Sequence, residues 1–260
     1  MEIIIKPTVA EAQQETAKIM RRQIQRKPET VLGLATGSTP IGVYSQLVAM
    51  HEKGELNFSR VSTFNLDEYV GLDAKHPWSY RAFMEAHLFG KVNIEKSRIH
   101  FPDGMAADIP AHCANYEADI RRTGGIDLQL LGIGREGHIG FNEPSSSLAS
   151  RTRIKTLTPQ TVRDNARFFG SEDKVPRHVI TMGVGTIMET RHCLMLATGE
   201  AKAEAVARMA EGPITADLPA SILQMHPVCT LVVDEAAAKE LKRCEYYRWV
   251  YDNKPDWQRV

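Results

Sequence analysis

The sequence predicts an α/β fold: an open, mostly parallel, Rossmann-like sheet with helices on both faces, plus a lid segment. Short, continuous apolar runs alternate with longer helical patterns, and such runs are typical of parallel strands buried on both faces. Polar and glycine-rich segments follow several of these runs, where such sheets bind their ligands. The 260 residues are predicted to form a single domain, 1–260, with a mobile lid around 157–180.

The predicted strands are short apolar runs, mostly aliphatic or β-branched and bounded by turn residues. They cover residues 3–5, 31–35, 61–66, 98–100, 126–131, 178–182, 192–197 and 228–233. The helical patterns between them cover residues 8–26, 41–51, 78–88, 109–122, 200–211 and 235–250. Thr8 with Glu11 forms a capping box, and Thr39 with Pro40 suits a helix start. The polar, arginine-rich stretch 145–174 resists assignment and is interpreted as a long excursion.

Composition excludes several classes of protein. The 32 basic and 32 acidic residues cancel, so no nucleic-acid or polybasic membrane partner is expected. No window reaches the ~18 uncharged apolar residues of a membrane span, and no signal peptide is predicted. The four cysteines are far apart and form no CxxC pair, which favours reduced thiols in a cytoplasmic protein.

The glycine-rich stretch from Leu130 to Pro144 follows a predicted strand and carries Glu136, His138 and Glu143. Ionisable groups on a strand-end loop are typical of an active site. His138 is a candidate general acid–base group, with Glu136 or Glu143 orienting its imidazole. The segment also matches GxGxxG. A dinucleotide site is not expected, because no long helix follows and residues 150–160 contain no acid.

Asp67 follows the predicted strand 61–66, and a partly desolvated carboxylate there suits proton transfer at carbon. A solvated turn explains this segment equally well. No second histidine or cysteine lies at ligand spacing from His138, so no metal is expected. The residues therefore predict an acid–base enzyme that needs no cofactor.

The turn Thr36-Gly-Ser-Thr-Pro40 lies between a strand and a helix, so Gly37, Ser38 and Thr39 are candidate phosphate ligands. A plain helix-capping turn explains it about equally well. Lys202 and Arg167 are candidate cations for the same phosphate, although each is also compatible with an ordinary surface charge. The predicted partner is a small phosphorylated metabolite.

Four motifs together resemble the glucosamine-6-phosphate deaminase family. They are Leu34-Ala-Thr-Gly-Ser-Thr-Pro40, Phe64-Asn-Leu-Asp-Glu-Tyr-Val-Gly-Leu72, Gly132-Ile-Gly-x-x-Gly-His-Ile-Gly-Phe-Asn-Glu-Pro144 and Ser146-Ser-Leu-Ala-Ser-Arg-Thr-Arg-Ile-Lys-Thr156. The resemblance covers most of the chain. It implies conversion of D-glucosamine 6-phosphate and water to D-fructose 6-phosphate and ammonia in amino-sugar catabolism.

The resemblance also implies roles for individual residues. Asp67 matches the base that moves a proton from C2 to C1. His138 matches the group that opens the pyranose ring, and Glu143 its carboxylate partner. The matches to the family's phosphate pocket are Gly37, Ser38, Thr39, Arg167 and Lys202.

Two features depart from the family pattern or vary within it. Glu136 replaces the usual Asp or Asn before Gly-His, which leaves its catalytic role less definite. Some relatives are hexamers activated by N-acetylglucosamine 6-phosphate, whereas others are unregulated or monomeric. The residues that match the activator site are Ser146, Arg153, Lys155 and Thr156. Arg248 stands where regulated members have a tyrosine, so oligomeric state and activation stay open.

Two other functions compete with the deaminase. The related 6-phosphogluconolactonases share the fold and a Gly-x-x-Gly-His segment, but not the stretches 65–72 and 150–156. A non-catalytic sugar-phosphate sensor is the third hypothesis. The absence of a DNA-binding segment and the zero net charge argue against a sensor of the transcriptional type.

Overall fold

A computed structural model describes residues 1–255 and residue 258. Its centre is a seven-stranded, all-parallel sheet, whose strands in chain order are β1 (Glu2–Lys6), β2 (Val31–Leu34), β3 (Ser62–Asn65), β5 (Ile99–His100), β6 (Leu128–Leu131), β9 (Cys193–Ala197) and β10 (Cys229–Asp234). They lie side by side in the order β1-β10-β9-β6-β2-β3-β5. The predicted fold class is therefore confirmed.

Nine α-helices are found in the described part of the chain. They are α1 (Val9–Arg26), α2 (Ile41–Glu52), α3 (Tyr80–His87), α4 (Ile109–Arg122), α5 (Pro159–Phe169), α6 (Val184–Met188), α7 (Ala203–Glu211), α8 (Glu235–Ala238) and α9 (Cys244–Asp252). Among these described helices, none is long and apolar enough to cross a membrane. All four cysteines are free thiols.

Strand side chains alternate between two hydrophobic clusters, one on each face of the large sheet. Ile4, Leu194 and Leu196 join a cluster formed with α1, α2 and α3. Met195 and Ala197 point the other way and pack against α4, α6, α7 and α8. Because each strand buries both faces, it requires the continuous apolar sequence from which it was predicted.

A second, three-stranded antiparallel sheet stands beside the first. It pairs β4 (Asp67–Tyr69) with β8 (His178–Thr181), and β8 with β7 (Arg153–Thr156). The interpretation of 178–182 as another strand of the parallel sheet was wrong. Its apolar pattern is the same in either sheet, and only the pairing partners, which are distant in sequence, decide between them.

Two helical regions also differ from the sequence-based expectations. The unassigned excursion contains β7 and the amphipathic helix α5, whose start is marked by the N-cap Thr158 followed by Pro159. The single helix expected over 235–250 is broken into α8 and α9. Helix α2 begins at Ile41 as expected, but Pro40 rather than Thr39 occupies its N-cap position, and no side chain caps it.

The strand order reverses direction between β2 and β6. From β2 the chain proceeds through β3 to β5 on one side, whereas β6, β9 and β10 occupy the other side. The loops after β2 and β6 therefore flank a topological switch point, where open α/β sheets bind their ligands.

Candidate active site

The loop after β6 is a tight, glycine-dependent turn. The Gly134 N–H donates to the His138 carbonyl at 2.9 Å, and the Gly137 N–H donates to the Gly134 carbonyl at 3.0 Å. Gly137 has a φ of +77°, a left-handed conformation that favours glycine. A methyl group at Gly134 would lie 2.3 Å from His138 Nε2. The imidazole therefore packs directly on the backbone of this turn.

The end of the loop lies against Asp67. The Phe141 N–H donates to Thr181 Oγ1 at 3.0 Å, and Thr181 is the β-sheet partner of Asp67. A methyl group at Gly140 would lie 3.6 Å from Asp67 Oδ2. The fold thus brings the carboxyl of Asp67 next to the loop that carries His138 and Glu143.

Asp67 is buried, with 5% of its surface exposed. None of the described residues donates a hydrogen bond to its carboxyl. Burial, together with the charge of Glu68, raises the pKa of Asp67 to about 8. A carboxyl with a pKa near neutrality can both accept and return a proton within one catalytic cycle.

Glu68, the next residue, has a structural role. Its Oε1 accepts from the Tyr69 and Tyr80 N–H groups at 2.9 Å each, and Oε2 accepts from the Arg81 N–H at 3.0 Å. Tyr80 and Arg81 are the first residues of α3. Glu68 therefore satisfies backbone donors at a helix start that would otherwise be unpaired. Of the two consecutive acids, Asp67 is the one available for chemistry.

His138 and Glu143 form a pair. His138 Nδ1 lies 3.1 Å from Glu143 Oε2, and 21% of the imidazole is exposed, against 3% of the carboxylate. Burial opposes ionisation of Glu143, but hydrogen bonds from His138, Thr161 and the Thr158 backbone outweigh it and lower the Glu143 pKa. An ionised carboxylate can only accept, so Nδ1 carries the proton and Nε2 of the neutral ring is free to accept one.

Glu136 lies apart from this pair. Its side chain is exposed, and within the described part of the chain no hydrogen bond joins it to His138. Of the two carboxylates that could have oriented the imidazole, Glu143 is the one in contact with it. The catalytic role of Glu136 stays a prediction.

The candidate phosphate ligands lie around the same edge of the sheet. Gly37 has a φ of +99°, Ser38 is exposed, and Thr39 is half-buried in the turn before α2. Lys202 follows β9. Burial and the charges of Arg135 and Arg167 lower the Lys202 pKa, opposed by Asp164. Clustered cations of this kind are suited to binding an anion.

Arg167 belongs to the last turn of α5. It is exposed, and its guanidinium stacks 4.6 Å from the centre of the Phe168 ring. It is also one of the charges that lower the Lys202 pKa. Arg167 therefore stands at the border of the phosphate region, on an element expected to belong to the lid.

The expected activator residues divide into separate environments. Ser146 is buried, and its hydroxyl makes no hydrogen bond with the described residues. The Arg153 guanidinium donates to Asn142 Oδ1 at 2.9 Å. Along β7, Arg153 and Lys155 are half-buried on one face, whereas Thr156 is exposed on the other. The activator site stays a prediction.

Sequence reasoning missed two threonines that hold the site together, Thr161 and Thr181. Thr161 Oγ1 donates to Glu143 Oε1 at 2.5 Å, and Thr181 Oγ1 accepts from the Phe141 N–H. The Thr158-Pro159 pair gave a signal for the helix that contains Thr161, since Pro follows an N-cap at helix starts. No local pattern indicates Thr181, because its role depends on pairing between β4 and β8. Among the described residues, no group of three or more His, Cys, Asp or Glu is placed to hold a metal ion.

A parallel sheet with a buried carboxyl and a histidine–carboxylate pair at its switch point defines an enzyme of the open α/β class. The family model described as glucosamine-6-phosphate isomerases/6-phosphogluconolactonase matches residues 6–232. The chain belongs to this family.

Individual relatives agree with this assignment. A glucosamine-6-phosphate deaminase of Arthrobacter sp. (strain FB24) is 55% identical over 258 residues, which is 99% of each chain. The solved structure of a monomeric glucosamine-6-phosphate deaminase is 44% identical, covers 92% of this chain and 100% of its own, and has a TM-score of 0.91. The 6-phosphogluconolactonase of Trypanosoma cruzi is 19% identical over 93% of this chain and 97% of its own, with a TM-score of 0.73, and shares the fold alone.

Proposed function

We propose that this chain converts D-glucosamine 6-phosphate and water to D-fructose 6-phosphate and ammonia. The observation that carries the proposal is the position of Asp67, a buried carboxyl beside the loop that holds His138 and Glu143. Identity of 55% over essentially the whole chain with a deaminase, against 19% with a lactonase, supports this reaction over lactone hydrolysis.

Phosphate binding fixes the substrate. The turn at Gly37, Ser38 and Thr39 offers backbone N–H groups and hydroxyls before α2, and Lys202 and Arg167 supply positive charge. Because the phosphate is remote from the reacting carbons, its binding energy can be used to hold C1 and C2 in place.

Ring opening is the task of His138. The cyclic substrate must lose the proton of its C1 hydroxyl and gain one on the ring oxygen as the C1–O5 bond breaks. The unprotonated Nε2 can take up the first proton, and the resulting imidazolium can deliver a proton to O5. Glu143 stabilises that imidazolium through Nδ1, because an ionised carboxylate is its direct neighbour.

Isomerisation is the task of Asp67. The carboxylate removes the proton from C2 of the open-chain amino aldehyde, and the electron pair forms a C1–C2 double bond as the C1 oxygen takes up a proton released by the substrate's ammonium group. Return of the C2 proton from Asp67 to C1 leaves a protonated imine at C2. Water then adds to C2 and ammonia leaves, which balances the overall reaction. The positive charge of the substrate amine favours the ionised form of Asp67.

Four further features belong to the same proposal. The chain forms a single domain, segment 157–180 moves as a lid, and the enzyme is cytoplasmic, which the widely spaced cysteines without a CxxC pair support. Ser146, Arg153, Lys155 and Thr156 form an activator site for N-acetylglucosamine 6-phosphate if the chain assembles as some relatives do. Sigmoid kinetics relieved by that ligand, in a particle heavier than one chain, test the activator site. Hyperbolic kinetics unaffected by the ligand exclude it.

The test of the main proposal is a coupled assay that measures both ammonia and D-fructose 6-phosphate from D-glucosamine 6-phosphate. Both products are expected in equal amounts. Folded protein that hydrolyses 6-phosphogluconolactone faster than it deaminates would establish the lactonase instead. Phosphate-dependent binding without turnover would establish the sensor.

A further inference from the structure

The first turn of α5 holds the carboxylate of Glu143. Thr161 is buried, and its Oγ1 donates to Glu143 Oε1 at 2.5 Å. The Thr158 backbone also contributes to lowering the Glu143 pKa. The Thr158 hydroxyl in turn accepts from the Thr161 N–H at 3.2 Å and donates to Thr161 Oγ1 at 3.1 Å. The direction of the Thr161 hydroxyl is thereby fixed toward Glu143.

The two oxygens of Glu143 have separate partners. Oε2 faces Nδ1 of His138, and Oε1 faces Thr161. A carboxylate is planar and rigid, so a bond that fixes one oxygen also fixes the direction in which the other presents its lone pairs. Thr161 therefore sets the geometry of a histidine contact that it does not make itself.

The same helix also contacts the wall that carries Asp67. Asn165 Nδ2 donates to the Tyr69 hydroxyl at 3.0 Å, and the Phe169 ring packs edge-on against Tyr69 at 5.2 Å. Tyr69 belongs to β4 together with Asp67. Specific side chains of α5 therefore contact both parts of the candidate site, namely Glu143 and the strand that carries Asp67.

We infer that Thr161 is a positioning residue for ring opening, which couples the docking of α5 to the orientation of the Glu143–His138 pair. This inference rests on the proposed function for its kinetic consequences. The contact between Thr161 and Glu143 has a second consequence, which can be measured without enzyme turnover. When Thr161 holds Glu143, the neutral His138 ring is kept in the Nδ1-protonated tautomer.

The chain offers a matched control. Thr186 is also buried, and its Oγ1 donates to Glu117 Oε1 at 2.6 Å, so a threonine hydroxyl again serves a buried glutamate. Neither Thr186 nor Glu117 has an assigned role in the proposed reaction. Thr186→Val removes the same kind of hydrogen bond as Thr161→Val, with a comparable cost in stability.

The kinetic experiment compares the full-length wild type with Thr161→Val, Thr161→Ser and Thr186→Val between about pH 5 and pH 9. Thr161→Val is expected to lower kcat about tenfold with KM nearly unchanged. Because Glu143 loses a hydrogen-bond donor, the apparent pKa at which kcat falls on the acid side of the pH profile, its acid limb, should also rise. Thr161→Ser, which keeps the hydroxyl, should restore both quantities, and Thr186→Val should change neither. Wild-type kinetics in Thr161→Val, or an equal displacement of the acid limb in Thr186→Val, would overturn the inference.

The second measurement is the ¹⁵N spectrum of the histidine side chains, assigned with a His138→Gln variant. The wild type should show His138 mainly protonated at Nδ1, and Thr161→Val should show a mixture of tautomers. Thr161→Ala replaces the valine variant if the latter does not fold. An unchanged tautomer in a folded variant overturns the inference even if the wild type is an active deaminase. If Thr161→Val changes the His138 tautomer but the wild type has no deaminase activity, the proposed function alone is refuted.

Discussion

Asp67 and Glu68 are adjacent in β4, yet their carboxyl groups have opposite hydrogen-bonding environments. Glu68 accepts three backbone N–H bonds, one within β4 and two at the start of α3, whereas none of the described residues donates to Asp67. Both are buried, with 5% of the surface exposed for Asp67 and 3% for Glu68. Successive strand residues point to opposite faces, so one acid anchors the wall of the site and the other is left for chemistry.

Asp67→Asn is expected to lower kcat by at least about a thousandfold while substrate affinity stays nearly unchanged. The amide has the shape of the carboxyl but cannot take up the C2 proton, and general-base catalysis contributes ~10²–10⁴ in rate. Steady-state deamination measures kcat. Calorimetry with an amino-sugar alcohol 6-phosphate, which lacks C1 carbonyl chemistry, measures affinity. A rate within about tenfold of the wild type removes Asp67 from the mechanism.

The same substitution should change how stability depends on pH. The pKa of Asp67 in the folded protein is about 8, raised from 3.8, so between these values the folded state retains a proton that the unfolded state has lost. Stability contributed by the protonated group is complete below pH 3.8 and is lost as pH rises through about 8, at up to about 1.4 kcal/mol per pH unit. Asp67→Asn should remove this slope.

Urea unfolding at several pH values between about 5 and 9 measures the slope. The free energy of unfolding of Asp67→Asn should exceed that of the wild type most clearly at the alkaline end. Parallel curves for the two proteins would mean that Asp67 ionises in the folded state as readily as it does in water.

Most of the large sheet could be predicted from the sequence because each of its strands buries both faces. Runs such as 192–197 and 228–233 are apolar for that reason alone, and the parallel alternation followed from them. The small sheet could not be predicted. It pairs β4 with β8 and β8 with β7. Neither this pairing nor the break between β3, which ends at Asn65, and β4, which begins at Asp67, leaves a pattern in the local sequence.

The site shows the same division. His138, Glu143 and Asp67 were identifiable because ionisable residues at strand ends are chemically conspicuous. Spacing alone could not choose between Glu136 and Glu143 as the partner of His138, because both lie on the same loop; only the family resemblance favoured Glu143. Thr161 was beyond sequence reasoning, because its function depends on how α5 docks and not on the helix itself.

Glu68→Ala is expected to destabilise the fold by about 1–3 kcal/mol, because three buried or partly buried backbone N–H groups at β4 and α3 lose their acceptor. Glu68→Gln keeps one carbonyl oxygen and should recover part of this loss. The free energy of unfolding in urea measures the effect. Equal stability of Glu68→Ala and the wild type would show that water replaces the carboxylate at no cost.

Gly134→Ala is expected to displace the His138 imidazole and to lower kcat about a hundredfold. The added methyl group would lie 2.3 Å from both Cε1 and Nε2 of that ring, so the ring must move away from its contact with the turn. Gly132→Ala is the matched control, because a methyl group there meets no atom within 4 Å. Steady-state kinetics of both variants measure the effect, and equal activity would mean that the ring relocates without loss.

Glu143→Gln is expected to slow turnover of the cyclic substrate about a hundredfold, with a much smaller effect on KM. An amide cannot stabilise the imidazolium as an ion does, and its one carbonyl oxygen cannot accept from both His138 and Thr161. A 5-deoxy substrate analogue, which cannot close the six-membered ring, bypasses ring opening and should be processed at nearly the wild-type rate. Equal loss with both substrates would assign Glu143 to a later step.

The same variant, Glu143→Gln, also tests how the carboxylate contributes to stability. Because the Glu143 pKa is lowered in the folded state, its carboxylate stabilises the fold above the unfolded pKa of about 4.5. The deficit of Glu143→Gln in the free energy of unfolding should therefore be largest near neutral pH. It should shrink as pH falls below about 4.5, because the wild-type carboxylate then becomes protonated as well.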